Sequence, residues 1–542
     1  MRKLILLSLV LSFFATASTC RRRNSDAVTV ALPEKFQTFD TVTTMSSDAA
    51  AERVKNLMFN SLVKKDEKFE YIGELAKEIK TSEDGKVITF VLQDNVKFHN
   101  GQDFTSADVK YTFEQLFASN GYKAGAFFDS VPDDSAPATK PAAAPATSPA
   151  AAKPAEEKKM KRIAHISSIE TPDAKTVVFT VARPALRNQL LSNLVAVPII
   201  ATGSAPRQKD APIGTGPFKF VSLDAAQSIV ELAANQEYWE GVPKVAKLRL
   251  KTITDANSLQ AELSTGGVDI APNPNNISPD TLKSLASNAS LKVEQSDGSN
   301  IQYLVFNTQS APLNNVKVRQ AIGYAINREK IVSELLFDQA KVADSILPPN
   351  SWAYSQGTKY SYDPAKAKQL LQEAGYKGEP IVFKFGSGLQ AVSQYSQVLQ
   401  SAMNDVGLNV QIETFEVNTI RTHLAQGNFQ MYTGVWIGGN QDPIFLRDLF
   451  SSTKIPGGTV SCCNRSRYTN AELDKAVLDA ENSTDKAKAK ELYGKAWTIA
   501  SEELPLLPLW YPANIIVANK RIGDIKINAS GDWSFLKNIT SQ

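Results

Sequence analysis

Runs rich in β-formers alternate along this chain with segments whose apolar residues recur every three or four positions. Lys86-Val87-Ile88-Thr89-Phe90-Val91-Leu92 is mostly apolar on both alternating faces, which predicts a strand covered from both sides. Thr105-Ser106-Ala107-Asp108 then matches a capping box, with Val109, Phe113 and Leu116 on one helical stripe. Asp363-Pro364 opens a further helix: Ala367, Leu370, Leu371 and Ala374 share a face, and Gly375 suits its end. Thr469-Asn470-Ala471-Glu472 is a second capping box, leading into Leu473, Ala476, Val477 and Ala480. Strands interleaved with helices predict a mixed α/β class.

The first apolar run has a different meaning. MRKLILLSLVLSFFATASTC has a basic start, an apolar stretch from Leu4 to Phe14, then small residues. This is a secretory signal, too short to remain as a membrane anchor, so residues 1–20 are assigned to it. Ala17-Ser18-Thr19-Cys20 loosely resembles a lipoprotein processing site, making Cys20 a candidate lipid attachment point. Plain cleavage after Ala17 is the alternative. The remaining cysteines, Cys462 and Cys463, are adjacent, so they form either a vicinal disulfide or two free thiols. No His or Cys lies near them at metal-ligand spacing, and neither a metal nor a cofactor is expected.

At 542 residues the chain needs two or three domains. Its 59 Lys plus Arg against 56 Asp plus Glu leave a net charge of +3, with no basic excess to suggest nucleic-acid binding. Residues 135–156, SAPATKPAAAPATSPAAAKPAE, carry proline every few positions and cannot fill a core. They read as a flexible tether, either inserted into a domain or marking a boundary.

Catalytic signals are thin. His99, His165 and His423 have no nucleophile in a local motif, and G-x-S-x-G is absent. Gly386-Ser387-Gly388-Leu389-Gln390-Ala391 follows a strand pattern and precedes a helix, with Glu413 ending a second strand, as in a dinucleotide-binding turn. Any tight strand-to-helix crossover favours glycine, and an exported location argues against a nicotinamide enzyme. The chain is not expected to be an enzyme.

Several blocks recur in one order. They are Gly73-Glu74-Leu75-Ala76-Lys77-Glu78, VKFHNGQDFTSADVKYTFE from Val96 to Glu114, PIGTGPFKF from Pro212 to Phe220, and Gly267-Val268-Asp269-Ile270. YLVFNTQSAPLNNVKVRQAIGYAINREKIV from Tyr303 to Val332, Tyr362-Asp363-Pro364 and the Tyr468 helix follow. From about residue 28 onward the chain thereby resembles the peptide-type, family 5 extracytoplasmic solute-binding proteins of ABC importers. Physically, Pro212, Gly214, Gly216 and Pro217 form a rigid turn able to approach other backbone closely. Arg319, Arg328 and Lys330 are expected on a solvated helix face opposite Val318, Ala321, Ile322 and Ala325.

The resemblance implies a two-lobed periplasmic-binding-protein fold with a hinge, type II, of the large class with an additional small domain. Lobe I would combine residues 28–62, 205–303 and 506–542, and lobe II would span 304–505. The additional domain would span 63–204 and include the insertion at 120–162. Implied partners are a peptide or other small solute and ABC permease subunits. Membrane contact would come only through the anchor, and a monomer is expected.

In this family the stretch matching residues 433–443, TGVWIGGNQDP, lies in the ligand cleft. Peptide-binding relatives place an aspartate three residues after the tryptophan, where it pairs with the ligand's α-amine. Counting from Trp436, that position is Gly439. A charge-assisted hydrogen bond is worth roughly 1.5–3 kcal/mol, so recognition of a free N-terminus in the usual way is disfavoured. The expected ligand contacts are Trp436, Gly438, Gly439, Asn440 and Asp442: an aromatic plate, opened backbone and a neutral acceptor. Peptides gripped by main chain, blocked peptides and uncharged solutes such as a short sugar all fit.

Overall fold

The computed structural model describes residues 27–45, 48–119, 121–132, 160–274, 276–388, 390–438, 441–457 and 463–542. Cys20, Gly439, Asn440, Cys462 and most of the Ala/Pro-rich insertion lie outside these residues.

Two large sheets organise the chain. The first has seven strands in the order Phe218–Asp224, Ile229–Ala234, Lys247–Thr252, Ala27–Leu32, Ile270–Pro272, Asn514–Asn519, Leu291–Ser296. The second has six: Ala340–Val342, Leu506–Pro512, Ile301–Phe306, Met431–Trp436, Pro380–Gly386, Asn409–Phe415. A smaller sheet has four strands, Ala76–Thr81, Val87–Leu92, Thr176–Val181 and Ile166–Asp173. Its strand Val87–Leu92 buries Ile88, Phe90 and Leu92 and half-buries the alternate face, as the apolar pattern requires.

One continuous apolar core joins this smaller sheet to the first large sheet, from Val30 and Ile270 through Phe90 and Phe179 to Trp533. The second sheet is covered on both faces. Leu304, Phe306, Phe383 and Met431 pack on one side, and Ile301, Tyr303 and Val305 face a second cluster on the other.

The chain passes between the large sheets at residues 297–300 and again at Ala513. These crossings touch. A side chain at Gly298 would collide with the Pro512 carbonyl, and Asn514 Nδ2 donates to the Asp297 carbonyl at 3.3 Å. Leu506–Pro512, expected in the first lobe, is bonded into the second sheet beside Ile301–Phe306, so the chain returns to the first sheet only after Pro512.

The helix signals were sound. Asp108 accepts from the Thr105 amide at 2.9 Å at the head of Ser106–Ser119, and Asp363 caps Pro364–Glu373 through the Lys366 amide at 2.9 Å. In the Tyr468 region the cap falls one residue later than Thr469. Asn470 accepts from the amides of Glu472 and Leu473, each at 3.0 Å. Strand Phe128–Pro132 pairs antiparallel with Met160–Ala164, so the chain leaves for the Ala/Pro-rich segment and returns from it at neighbouring points. That favours insertion over boundary.

One expectation fails. Arg319 and Arg328 are not on a solvated face; both are buried. Arg319 donates to the carbonyls of Leu313, Glu503 and Leu504, and Arg328 to those of Ala343, Pro508 and Tyr360 and to Asp344. A guanidinium carries five donors, and here most of them bond main-chain carbonyls, chiefly ones outside the regular hydrogen-bond ladders.

Candidate functional site between the lobes

Between the two large sheets lies a cavity of about 300 Å³, lined from both. The first lobe contributes Asn273, Pro274, Ile277 and Ile515, and the second Gln302, Val392, Tyr395, Val435, Ile437 and Trp510. Asn300 and Asn514, at the two crossings, complete the lining. Arg53 also lines it but is held bidentately by Glu34 at 2.8 and 2.9 Å. Formal charge at the wall is therefore already paired, and the other polar groups are neutral.

The stretch singled out in the sequence runs along this wall. Trp436 ends strand Met431–Trp436, opposite Ile301. Strand alternation puts Val435 toward the cavity with Ile437 beyond the strand end, and turns the Trp436 ring to the other face. There the half-buried ring stacks on Tyr303 (centroids 6.3 Å apart, planes 23° apart) and meets the edge of Phe445 at 5.1 Å. The Arg465 guanidinium lies over it, 4.9 Å from the centroid, and donates to the Tyr303 hydroxyl at 3.3 Å. Trp436 is thus beside the cavity but not among the residues lining it.

Gly438 has φ +74°, the left-handed region that favours glycine, and a Cβ there would meet nothing. Its amide donates to Asn300 Oδ1 at 3.0 Å, and Gln441 Nε2 donates to Ser299 Oγ at 2.9 Å. Both ends of the turn after Trp436 are therefore pinned to the crossing segment.

Asp442 is buried and does not line the cavity. One carboxylate oxygen accepts from the Ile444 amide at 2.9 Å; the other has no hydrogen-bond partner among the described residues. Burial pushes its pKa up, against the opposing pull of Lys65, and burial pushes Lys65 down. Asp442, expected as a ligand contact, therefore lies outside the cavity.

The other sequence candidates have structural roles. His99 bonds the Gly216 carbonyl at 3.0 Å, and burial holds its pKa down at about 4. It braces the turn whose Gly214 and Gly216 sit where any Cβ would strike the backbone of Met58. His423 meets the edge of Phe415 at 4.7 Å. Cys463 is disulfide-bonded, which removes the free-thiol alternative for it. Glu413, the acid of the dinucleotide-like pattern, lies 3.7 Å from Lys384 on the paired strand. Among the described residues, no helix is long and apolar enough to cross a membrane.

Sequence reasoning missed Asn273, Asn300, Gln302, Tyr395 and Trp510. Trp510 lies in LLPLWYP, which reads as plain core strand, and Asn300 follows a polar loop with no motif. Only the pairing of strands distant in sequence brings them together.

The profile of the family described as bacterial extracellular solute-binding proteins, family 5 middle, matches residues 70–457. The di/tripeptide-binding protein 1 of Pseudomonas aeruginosa is 28% identical over 531 residues, covering 93% of this chain and 91% of that protein. Heme-binding protein A of Haemophilus influenzae is 27% identical over 472 residues, 83% and 80% of the two chains. The crystal structure of NikZ from Campylobacter jejuni, in complex with Ni(L-His), superposes with a TM-score of 0.74 at 24% identity, covering 96% of this chain and all 100% of the other. These neighbours share the type II, two-lobed fold of family 5.

Proposed function

The chain belongs to the bacterial extracellular solute-binding proteins of family 5, and we propose that it captures a peptide or peptide-like solute between its lobes and delivers it to the permease of an ABC importer. The observation that carries this reading is the cavity built jointly by both sheets and both crossings, with its one charged lining group already paired. A ligand there bridges the lobes and stabilises the closed arrangement about the crossings. Relatives named for di- and tripeptides set the size class.

Recognition rests on main chain and neutral amides. The solute lies in extended form along the cavity side of the end of strand Met431–Trp436, beside Val435 and Ile437. Gly438 leaves space beside it, because no atom stands where its Cβ would be, and the residue at position 439 is a glycine with no carboxylate to hold a free amine. Asp442 belongs to the frame of this loop. The protein is exported by its N-terminal signal and works as a monomer outside the cytoplasm, held to a membrane through lipid on Cys20.

Native mass spectrometry of freshly purified protein tests the reading. A retained mass in the range of short peptides, released by unfolding, is expected. A retained oligosaccharide, or a heme or metal complex, would overturn it.

A further inference from the structure

We propose that the face of the cavity formed by Val435, Ile437, Val392, Tyr395 and Trp510 is a specificity subsite for an uncharged, apolar side chain of the solute. The inference rests on the peptide reading above and goes beyond it by stating which side chains the protein selects.

Tyr395 and Trp510 form the floor. Their rings meet edge to face at 5.2 Å and 85°, and both are buried in the core of the second lobe, so the floor is fixed before any ligand arrives. Val435 and Ile437 form the rim, yet they are 44% and 65% exposed beside a strand whose other apolar residues are covered. Branched apolar side chains left in water at the mouth of a cavity gain free energy when something apolar covers them.

Charge is unwelcome here. Arg53 is occupied by Glu34, and the remaining polar lining, Asn300 and Gln302 included, is neutral. A lysine or glutamate side chain entering this space would leave water without a partner of opposite sign.

The test is titration calorimetry of the full-length protein with four blocked peptides, acetyl-Ala-X-Ala-amide, where X is Leu, Phe, Lys or Glu. Leu and Phe should bind about ten-fold or more tighter than Lys and Glu. Val435→Asp and Ile437→Asp, at exposed positions that need not disturb folding, should each cut the affinity for the Leu peptide about ten-fold and shrink its lead over Lys. Equal binding of all four peptides, or an undiminished Leu preference in both variants with unchanged melting temperatures, would overturn the subsite while leaving peptide capture standing. Failure of the wild type to bind any of them would remove the peptide reading and the subsite with it.

Discussion

The Gly438 amide donates to Asn300 Oδ1 at 3.0 Å, tying the end of the strand that carries Trp436 to the segment where the chain crosses between lobes. The bond ties Gly438, next to the cavity-lining Ile437, to the crossing segment. A movement of one lobe about the crossing must carry the loop with it or break this contact.

Asn300→Ala removes the acceptor and leaves the Gly438 amide to water. The expected stability loss is about 1 kcal/mol, read from the denaturant midpoint. The larger effect should fall on affinity, because the loop then samples orientations the ligand must freeze. Asn300→Asp keeps an acceptor and should hold more of the affinity than the alanine variant. Identical affinities for both variants and wild type would show that the bond has no part in capture.

Trp436→Ala should weaken ligand binding without unfolding the protein, by loosening the strand end that holds Val435 and Ile437 at the cavity mouth. The ring is only half-buried, so truncation should cost less than the roughly 3–5 kcal/mol of a fully buried tryptophan. It also frees Arg465 from the ring face and exposes Tyr303. Unchanged affinity in a folded variant would remove Trp436 from the site and leave it a structural ring.

Glu481 gives a pH prediction. It lies 3.2 Å from Arg447, yet its pKa is raised to about 7, first by burial and then by Asp448 and Asp442, which compete for the same guanidinium. The folded state therefore holds a proton that the unfolded state, near the ordinary glutamate value of 4.5, has lost. Its stability contribution is fully present below about pH 4.5 and is lost as pH rises through about 7. Glu481→Gln should flatten the pH dependence of the urea midpoint in that window and gain on the wild type toward pH 8. Parallel wild-type and variant profiles between pH 4 and 8 would show the carboxyl titrating normally.

Local signals were legible in the sequence because they depend on neighbours: the caps at Asp108 and Asp363, the strand Val87–Leu92, and the close approach at Gly214 and Gly216. What depends on distant pairing was not. Arg319 and Arg328 resemble surface charges on an amphipathic helix, and only segments distant in sequence, such as Glu503 and Pro508, supply the carbonyls that draw them inward. The stretch around Trp436 was legible as a candidate site, but the side of the strand its ring takes depends on its pairing with Ile301, which the stretch itself does not encode. The same pairing brings Gln302, Tyr395 and Trp510 to the cavity from positions without a motif.

The central claim is that this cleft grips its guest without an anion for the amine. The most direct measurement is calorimetry on one tripeptide, selected as the tightest binder from a mixed library, compared with its N-acetylated form. Neutral recognition predicts affinities within about three-fold of each other. A free-amine peptide binding more than about ten-fold tighter than its acetylated twin would reveal a buried carboxylate partner and contradict the account.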